Sequence, residues 1–496
     1  MGLARLLGLA RLGTTVGSGL EDLRRWRLSE TIARLIRQSL LRNSLSILAT
    51  TAVTAGIGYV YWIIAAHLYA TASIGLAAAL LQAMTLASLV SNIGGGSTLM
   101  RALPRAKRQG DWLAAVNAVL YSGAGFGMLA GCVLVAALPL LSHQFAVVRT
   151  DARVATAVVL GVPLLTLSTL LDVTFVAERV AHSMLVRNVV FAISKIPLLI
   201  LPALAGHASV LALLLSWDVA TAVSVLVGAL LLLPRHGRRY GLTVKGVRQQ
   251  LTGQSFALVG HHLINVGAAA PAYILPVLVA ARLSPTANAY YYTSAMVGSV
   301  FFMVSPAVAM ALFAEGSHSS ESLRRGARSS MIIIASFLGP AILGVVLGGR
   351  LILSVFGPEY ARHGLPLLII LVVSAVPDAV NSVYISILRV RLRLRVAATL
   401  NVGMAVIAVA LSWYLLPRLG IAGAGWAWLL ANLGGTGAIA GFSIWGRLPH
   451  GRRRPRPDPQ REPPQREPPQ RAPNAGSEPW QSARAASISQ SVSETE

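Results

Sequence analysis

Long, continuous apolar runs separated by short polar segments fill the chain from about residue 45 to residue 446. A membrane-spanning helix needs about 20 apolar residues to cross about 30 Å of hydrocarbon. The runs do not alternate between apolar and polar residues, so they predict helices rather than the strands of a barrel. We count twelve runs, at 45–66, 74–100, 113–141, 154–176, 188–206, 208–234, 254–281, 284–313, 330–350, 364–388, 396–416 and 420–446. The pattern predicts an all-α polytopic membrane protein with about twelve transmembrane helices.

The distribution of Lys and Arg predicts which side of the membrane each loop faces. If both termini are cytoplasmic, the cytoplasmic segments are 1–44, 101–112, 177–187, 235–253, 314–329, 389–395 and 447–496. These segments hold 35 of the 42 Lys and Arg residues, whereas the external loops hold six. This is the positive-inside pattern of a protein of the cytoplasmic (inner) membrane, and an error of one helix would destroy it.

Composition excludes two broad classes of protein. The chain is 55% hydrophobic and only 12% charged, with a net charge of +24. This charged fraction is well below that of a soluble enzyme, and the apolar fraction is too high for a disordered basic protein. We read the net charge as a topology signal rather than as nucleic-acid binding, although anionic lipids will attract the basic segments. The single Cys132 and ten scattered His residues show no metal-ligand spacing, and we expect no cofactor.

The two ends of the chain differ from the apolar region. Residues 1–44 form a basic segment, in which 20–42 reads as an amphipathic helix on the inner membrane surface or as a simple topogenic charge cluster. Residues 447–496 are rich in Pro, Arg and Gln, with PQREP at 459–463 repeated at 464–468. This composition predicts a disordered cytoplasmic tail.

The twelve runs divide into two sets of six that resemble each other weakly. An N-lobe at 45–234 and a C-lobe at 254–446 are joined by a cytoplasmic linker at 235–253. Asp172 in span 4 and Asp378 in span 10 lie at matched positions. Because six is an even number, both sets enter the membrane from the same side, which predicts two parallel lobes with a central cavity between them.

Short motifs at the ends of several spans carry a family resemblance. They are RNS at 42–44, GGG at 94–96 followed by MRALP at 100–104, LILSVFGPEY at 351–360 and GIAGAG at 420–425. With these motifs, residues 43–446 resemble the multidrug/oligosaccharidyl-lipid/polysaccharide (MOP) exporter superfamily. The similarity is to its bacterial polysaccharide flippases of the O-antigen and teichoic-acid type. The resemblance implies a two-lobed, V-shaped, MATE-like transporter that moves a lipid-linked sugar between leaflets. Lipid II flippases of the same superfamily often carry extra spans, and the twelve predicted spans of this chain depart from that pattern.

Four charged residues lie inside the predicted spans, where a charge is costly. Asp218, near the middle of span 6, is the best candidate for a proton or sodium site, because protonation or a bound cation stabilises a buried carboxylate. It could instead pair with Lys195 or a hydroxyl. Asp172 and Lys195 could form a structural pair. Asp378 could bond Asn381 or Ser382, or pair with an arginine of 389–395.

A cavity for a pyrophosphate lipid should offer basic or polar groups near its inner mouth. Arg101, His261, His262 and Asn265 are the substrate-binding candidates, because the resemblance implies that spans 1, 2, 7 and 8 line the opening. Arg101 could instead be a snorkelling anchor, and the two histidines could make interfacial hydrogen bonds. The arginines at 389, 391, 393 and 395 read mostly as loop anchors, and 94–96 reads as a close-packing or helix-breaking site.

Two prolines are candidates for gating. Pro271 and Pro276 should break or bend span 7, since each removes a backbone donor. Proline is also simply common in membrane helices, so a role in gating is only one of two interpretations.

The function that these features favour is a flippase for a lipid-linked oligosaccharide or polysaccharide precursor in envelope (lipopolysaccharide-type) biosynthesis. The alternative is a proton- or sodium-coupled multidrug or cation antiporter on the same fold. Spans 1, 2, 7 and 8 carry no acid, which favours an anionic substrate. External loops are too short for the catalytic loop of a membrane enzyme, so we expect no enzyme activity. The expected partners are the sugar lipid, membrane lipids and polysaccharide-assembly proteins. A further hypothesis is that the protein is a scaffold without transport activity.

Overall fold

The structure, a computed structural model, describes residues 39–100, Leu103, 111–233, 256–316 and 320–445. Most of the predicted N-terminal segment and all of the inter-lobe linker and the C-terminal tail therefore lie outside the described residues, and the predicted domain boundaries stay predictions. The described part is helical, and ten of its helices are long and apolar enough to cross a membrane. The chain is a multi-pass membrane protein.

Within the described ranges, twelve long helices follow one another in the order that the apolar runs predict. They are α1 (Ser39–Leu68), α2 (Thr71–Ser91), α3 (Trp112–Leu141), α4 (Ala152–Ala177), α5 (Ala181–Leu204), α6 (Val210–Leu226), α7 (Phe256–Arg282), α8 (Pro285–Gly316), α9 (Ser320–Ser354), α10 (Pro358–Val390), α11 (Leu394–Leu419) and α12 (Ala422–Trp445). We call the end of the bundle at which α1 begins the basic face, and the opposite end the short-loop face. In the predicted topology these are the cytoplasmic and external faces.

The helices form two lobes of six, α1–α6 and α7–α12, and three helix pairs pack alike in both lobes. In the first lobe α1 packs on α5, α3 on α4, and α2 on α4. In the second lobe α7 packs on α11, α9 on α10, and α8 on α10. Each pair in one lobe is six helices away from its counterpart in the other, as parallel repeats require. Asp172 and Asp378 both lie about 20 residues, or about 30 Å, from the first residue of α4 and α10 respectively.

Two predicted spans differ from the helices observed. The predicted span 74–100 is interrupted at 92–94, where Ile93 and Gly94 have φ values of 43° and 73°, before a short helix at 95–100. The glycines at 94–96 thus mark a helix break and also a close contact, because a Cβ at Gly95 would lie 2.7 Å from Val119 Cγ1. At its end, α6 continues as one turn of π-helix, Val227–Leu232.

Short segments on the short-loop face fix the helix ends. The loop between α3 and α4 contains the 3₁₀ turn His143–Phe145 and the single helical turn Val147–Thr150. Asp151 then caps α4 by accepting a hydrogen bond from the Arg153 backbone N–H at 2.9 Å. The hydrogen bond from the Arg153 side chain holds the pKa of Asp151 below its usual value.

Candidate transport site

The lobes are sealed against each other near the short-loop face. Asn288 of α8 donates a hydrogen bond from Nδ2 to the Gly75 carbonyl of α2 at 2.7 Å, and both residues lie near the start of their helices. The helices approach so closely that a Cβ at Gly75 would overlap the backbone carbonyl of Pro285. Ser142 also donates to the Ala281 carbonyl at 3.1 Å. This end of the interface excludes a large solute.

The contact between the lobes continues to mid-depth. Tyr59 of α1 donates to the Met296 carbonyl of α8 at 2.7 Å, and the Trp62 and Tyr292 rings lie 5.0 Å apart. Three described side-chain hydrogen bonds, from Asn288, Ser142 and Tyr59, thus join the lobes between the short-loop face and mid-depth.

A polar contact joins α7 and α2 in the half nearer the basic face. His262 Nε2 lies 2.8 Å from the Leu89 carbonyl. His262 is half-buried, and Asn265, one turn further along α7, is exposed. His262 thus makes a hydrogen bond between the lobes, and its role in substrate binding stays a prediction. The other two substrate-binding candidates are not described, because Arg101 and the side chain of His261 lie outside the described residues.

A chamber of about 330 Å³ opens beside the gap in the C-lobe. Its wall includes the rings of Tyr291, Tyr292, Phe302 and Trp428, together with Gln82 of α2. Pro276 also lines it. The chamber wall has no charged side chain, so it suits an apolar or aromatic group better than a phosphate.

The two prolines of α7 do not interrupt the helix, contrary to the predicted break. The helix runs from Phe256 to Arg282 through both Pro271 and Pro276. Each proline removes only one intrahelical hydrogen bond, and the surrounding helices hold α7 together, which membrane helices commonly tolerate. A role of these prolines in gating stays a prediction.

An apolar groove of about 760 Å³ runs between α2, α3 and α7. It is lined by Ala83 and Val90 of α2, Phe126 and Leu129 of α3, and Leu263 of α7. Several of these side chains are exposed. The groove lies where the two lobes meet, because α2 and α3 belong to one lobe and α7 to the other.

Asp172 is paired, but with Arg187 rather than with Lys195 as the sequence suggested. Arg187 donates from Nη2 to Asp172 Oδ1 at 2.7 Å and from Nη1 to Ser168 and Ser224 at 2.8 and 3.0 Å. Asn188 donates to both oxygens of Asp172. The network joins α4, α5 and α6, so Asp172 has a structural partner. Arg187 was missed because the predicted loop 177–187 placed it outside the membrane.

Lys195 lies in a cage of aromatic rings. Its Nζ is 4.6, 4.9 and 5.0 Å from the ring centroids of Trp217, Tyr61 and Phe191, and the residue is 3% exposed. Cation–π attraction strengthens as water is removed, so the rings compensate part of the desolvation of the ammonium group. Among the described residues, no carboxylate lies within ion-pair distance of it. In the sequence, the cage is indicated only by the spacing of Phe191 and Lys195, which lie four residues apart and therefore on one face of α5.

Asp218 is buried in the same lobe with one free oxygen. It is 7% exposed, and its Oδ2 has no hydrogen-bond partner within the described part of the chain. A Cβ at Gly161 would lie 2.5 Å from Asp218 Oδ1, so only glycine leaves room for the carboxylate there. Asp218 also lines a crevice of about 550 Å³ between α4 and α6. The expected pairing with Lys195 or a hydroxyl is not seen among these residues.

Asp378 does not bond the neighbour that the sequence suggested. Asn381 instead donates to the Asn432 carbonyl and side-chain oxygen at 2.9 and 3.2 Å, and Thr436 donates to Asn381 Oδ1. This amide network joins α10 to α12. Asp378 is half-buried, with no hydrogen bond or ion pair in the described ranges.

Comparison with known proteins identifies structural relatives only at low sequence identity. The sequence matches no family model and no curated protein. The fold is similar to that of a multidrug resistance MATE family transporter of the MOP superfamily in an inward-facing conformation. That match has a TM-score of 0.57 at 14% identity and covers 79% of this chain and 97% of the other.

Two further structures are similar to the same part of the chain. The lipid II flippase MurJ in an inward closed conformation matches with a TM-score of 0.59 at 11% identity, over 79% of this chain and 87% of that one. A MOP superfamily transporter from Pyrococcus furiosus, described by the reverse polarity of its binding pocket, matches with a TM-score of 0.54 at 17% identity. It covers 83% of this chain and 95% of the other. The chain therefore has the twelve-helix, two-lobed fold of the MOP superfamily structures.

Proposed function

We propose that the chain is a MOP superfamily transporter that moves an anionic, lipid-linked saccharide across the cytoplasmic membrane by alternating access of its two lobes. The observation that carries the proposal is the closed contact between the lobes at one end of their interface. Asn288 and Ser142 hydrogen-bond across the lobes near the short-loop face, where α2 and α8 also touch at Gly75. An interface closed at one end is expected for one state of an alternating-access cycle.

The polarity of the gap supports an anionic substrate. The helices that border it, α1, α2, α7 and α8, carry no Asp or Glu before the last turn of α8, where the helix extends beyond the predicted span to include Glu315. A cationic substrate would lack a counter-charge there. The apolar groove between the lobes supports a substrate with a long apolar chain, which could stay in the bilayer while its head group crosses.

Multidrug or cation antiport is the second candidate. The aromatic chamber at Tyr291 and Trp428 favours it, because aromatic walls bind flat apolar molecules and organic cations. The unpartnered oxygen of Asp218 could then hold the coupling proton or sodium ion. Flippase and antiporter differ in the substrate rather than in the fold, so a transport assay with both substrate classes separates them.

The experiment uses the full chain in liposomes without ATP. We expect a fluorescent polyprenyl-pyrophosphate saccharide in the inner leaflet to become accessible to an external quencher, with no ion-driven efflux of a cationic dye. His262→Ala should slow flipping, because it removes the side-chain hydrogen bond between α7 and the Leu89 carbonyl of α2. His67→Ala is the matched control, since His67 is exposed and bonds only the Ile63 carbonyl of its own helix. Dye efflux without flipping of the sugar lipid would contradict the flippase proposal and support multidrug or cation antiport.

The orientation is a separate part of the proposal. Both termini should lie in the cytoplasm, with the basic face inward. A thiol-reactive, membrane-impermeant label applied to whole cells should modify a cysteine at Thr150 on the short-loop face but not one at Leu392 on the basic face. Both positions are exposed. The reverse labelling pattern would invert the topology.

A further inference from the structure

Four polar side chains converge on a small pocket in the C-lobe, near the basic face. Asn265 of α7, Arg389 at the end of α10, and Arg395 and Asn401 of α11 line a pocket of about 150 Å³, which we call the arginine pocket. The remainder of its wall is apolar, and no acidic side chain lines it. The pocket is separate from the chamber and the groove described above.

These side chains are available to a ligand. Arg389, Arg395 and Asn265 are exposed, and Asn401 is half-buried. None of the four side chains makes a hydrogen bond or ion pair to any residue that the structure describes. Two guanidinium groups held near each other without a carboxylate repel, and an anion between them removes the repulsion. Arginine also matches a phosphate group with two parallel N–H donors.

The position of the pocket suits the phosphate of a lipid. Helix α11 has 26 residues and is about 39 Å long, whereas the hydrocarbon layer is about 30 Å thick. The ends of α11 therefore reach the head-group layer, and Arg395 is the second residue of the helix. The pocket volume corresponds to about five water molecules at roughly 30 Å³ each, which accommodates one phosphate group.

The pocket also adjoins the gap between the lobes. Asn265 lies one turn after His262, whose ring contacts the Leu89 carbonyl of the other lobe. Residues three apart on a helix lie on neighbouring faces. A lipid phosphate in the arginine pocket would therefore lie beside the mouth through which a saccharide head group enters.

We propose that the arginine pocket, lined by Asn265, Arg389, Arg395 and Asn401, binds the phosphate group of an anionic lipid. The inference deepens the proposed function, because the phosphate of the transported sugar lipid would bind there. The same chemistry could come from an anionic phospholipid of the surrounding bilayer. Binding and transport are therefore measured separately.

The test measures lipid binding to the full chain in detergent by native mass spectrometry. The probes are a polyprenyl monophosphate, phosphatidylglycerol and zwitterionic phosphatidylcholine. R389Q/R395Q should weaken binding of both anionic probes about tenfold, because the charge-assisted hydrogen bonds to phosphate are lost. The matched control is R391Q/R393Q, which removes the same charge from exposed positions of the same α10–α11 connection that do not line the pocket. It should change binding by less than about twofold.

A second variant tests the pocket without removing either arginine. Asn265→Asp places a negative charge in the wall and should also weaken binding of the anionic probes. Equal loss in R389Q/R395Q and R391Q/R393Q would reduce the site to a diffuse basic patch and overturn the proposal. Equal binding of phosphatidylcholine, or unchanged binding in R389Q/R395Q and Asn265→Asp, would overturn it as well.

The two lipid sources are distinguished by competition. Displacement of phosphatidylglycerol by the polyprenyl phosphate at a lower concentration would identify the transported lipid as the ligand. Equal affinities would identify a bilayer phospholipid. If the chain binds the anionic lipids specifically but flips no sugar lipid, the proposed function is refuted and the lipid-binding role of the arginine pocket stands. If the wild-type chain flips the sugar lipid and R389Q/R395Q binds lipid normally, the proposed function stands and the role of the arginine pocket is refuted.

Discussion

Arg187 shows at the scale of one residue how this membrane protein keeps a full charge inside a lobe. The side chain is among the largest that are fully buried, and its guanidinium donates to Asp172, Ser168, Ser224 and Asn188. A planar group with five donors needs several acceptors in fixed positions, and three helices supply them. The cost of burial is offset only while the whole set is present.

Removing one member of this network should therefore destabilise the protein more than removing both charges. Arg187→Met leaves Asp172 without its cation, and because Asp172 is 24% exposed we expect a loss near the low end for a buried pair, about 3 kcal/mol. The double variant R187M/D172L should recover at least half of that loss. Thermal unfolding in detergent measures both. Equal losses in the single and double variants would show that the charges do not act as a pair.

Asp218 lacks such a network, and this difference is the basis of a second prediction at the residue scale. If its free oxygen holds a coupling cation or proton, Asp218→Asn should abolish the response of transport to an imposed proton or sodium gradient while the protein stays folded. Asp151→Asn, which changes a half-buried carboxylate on the short-loop face, is the control. If transport by Asp218→Asn still responded fully to the imposed gradient, Asp218 would have no role in ion coupling.

At the scale of the helix, small residues determine which helices come close together. Helix α3 packs on α4 through Gly127 and Gly131, where a Cβ would lie 2.7 Å from Pro163 Cα and from the Val159 carbonyl oxygen. Lipid offers no hydrophobic drive for helices to associate, so close backbone contact of this kind holds them together. The same helix has Gly125 with nothing within 4 Å of its Cβ position.

Matched Gly→Ala changes in α3 should separate packing from helix propensity. Gly131→Ala should destabilise the protein by roughly 1–3 kcal/mol, because the new methyl group meets backbone atoms that cannot move away without separating the helices. Gly125→Ala should leave stability unchanged or raise it slightly, since alanine favours helix more than glycine. Thermal unfolding of the two variants gives the comparison. A similar loss at both positions would attribute the effect to flexibility rather than to packing.

The apolar runs predict the positions of the helices well, but they do not predict which helices and side chains contact each other. Helices α3, α4 and α12 begin and end within about two residues of the predicted runs, because hydropathy reports burial in lipid directly. The break at 92–94 depends on backbone conformation, and the Arg187 network depends on which helices are neighbours. Counting Arg187 among the loop charges placed it outside the membrane, although α5 already begins at Ala181. Hydropathy contains neither kind of information.

At the scale of the whole transmembrane region, the repeat predicts similar lobes, whereas transport requires the contact between them to be asymmetric. The hydrogen bonds from Asn288 to Gly75 and from Ser142 to Ala281 hold the short-loop face closed, and the hydrogen bond from His262 to Leu89 lies in the opposite half. To expose the gap on the short-loop face, the first two must break. Their strength thus sets the balance between the two states.

Asn288→Ala should shift that balance, because it removes a buried hydrogen bond between the lobes without touching the basic face. Spin labels at T150C and L419C report separation across the short-loop face, and labels at R179C and L392C report it across the basic face. All four positions are exposed, and Cys132, which is also exposed, is first changed to serine. We expect Asn288→Ala to lengthen the first distance and shorten the second. Ser336→Ala is the control, since Ser336 is exposed and donates to the Ile332 carbonyl of its own helix α9. If the two distances lengthened together, the lobes would be separating rather than rocking, and alternating access would be the wrong description of this interface.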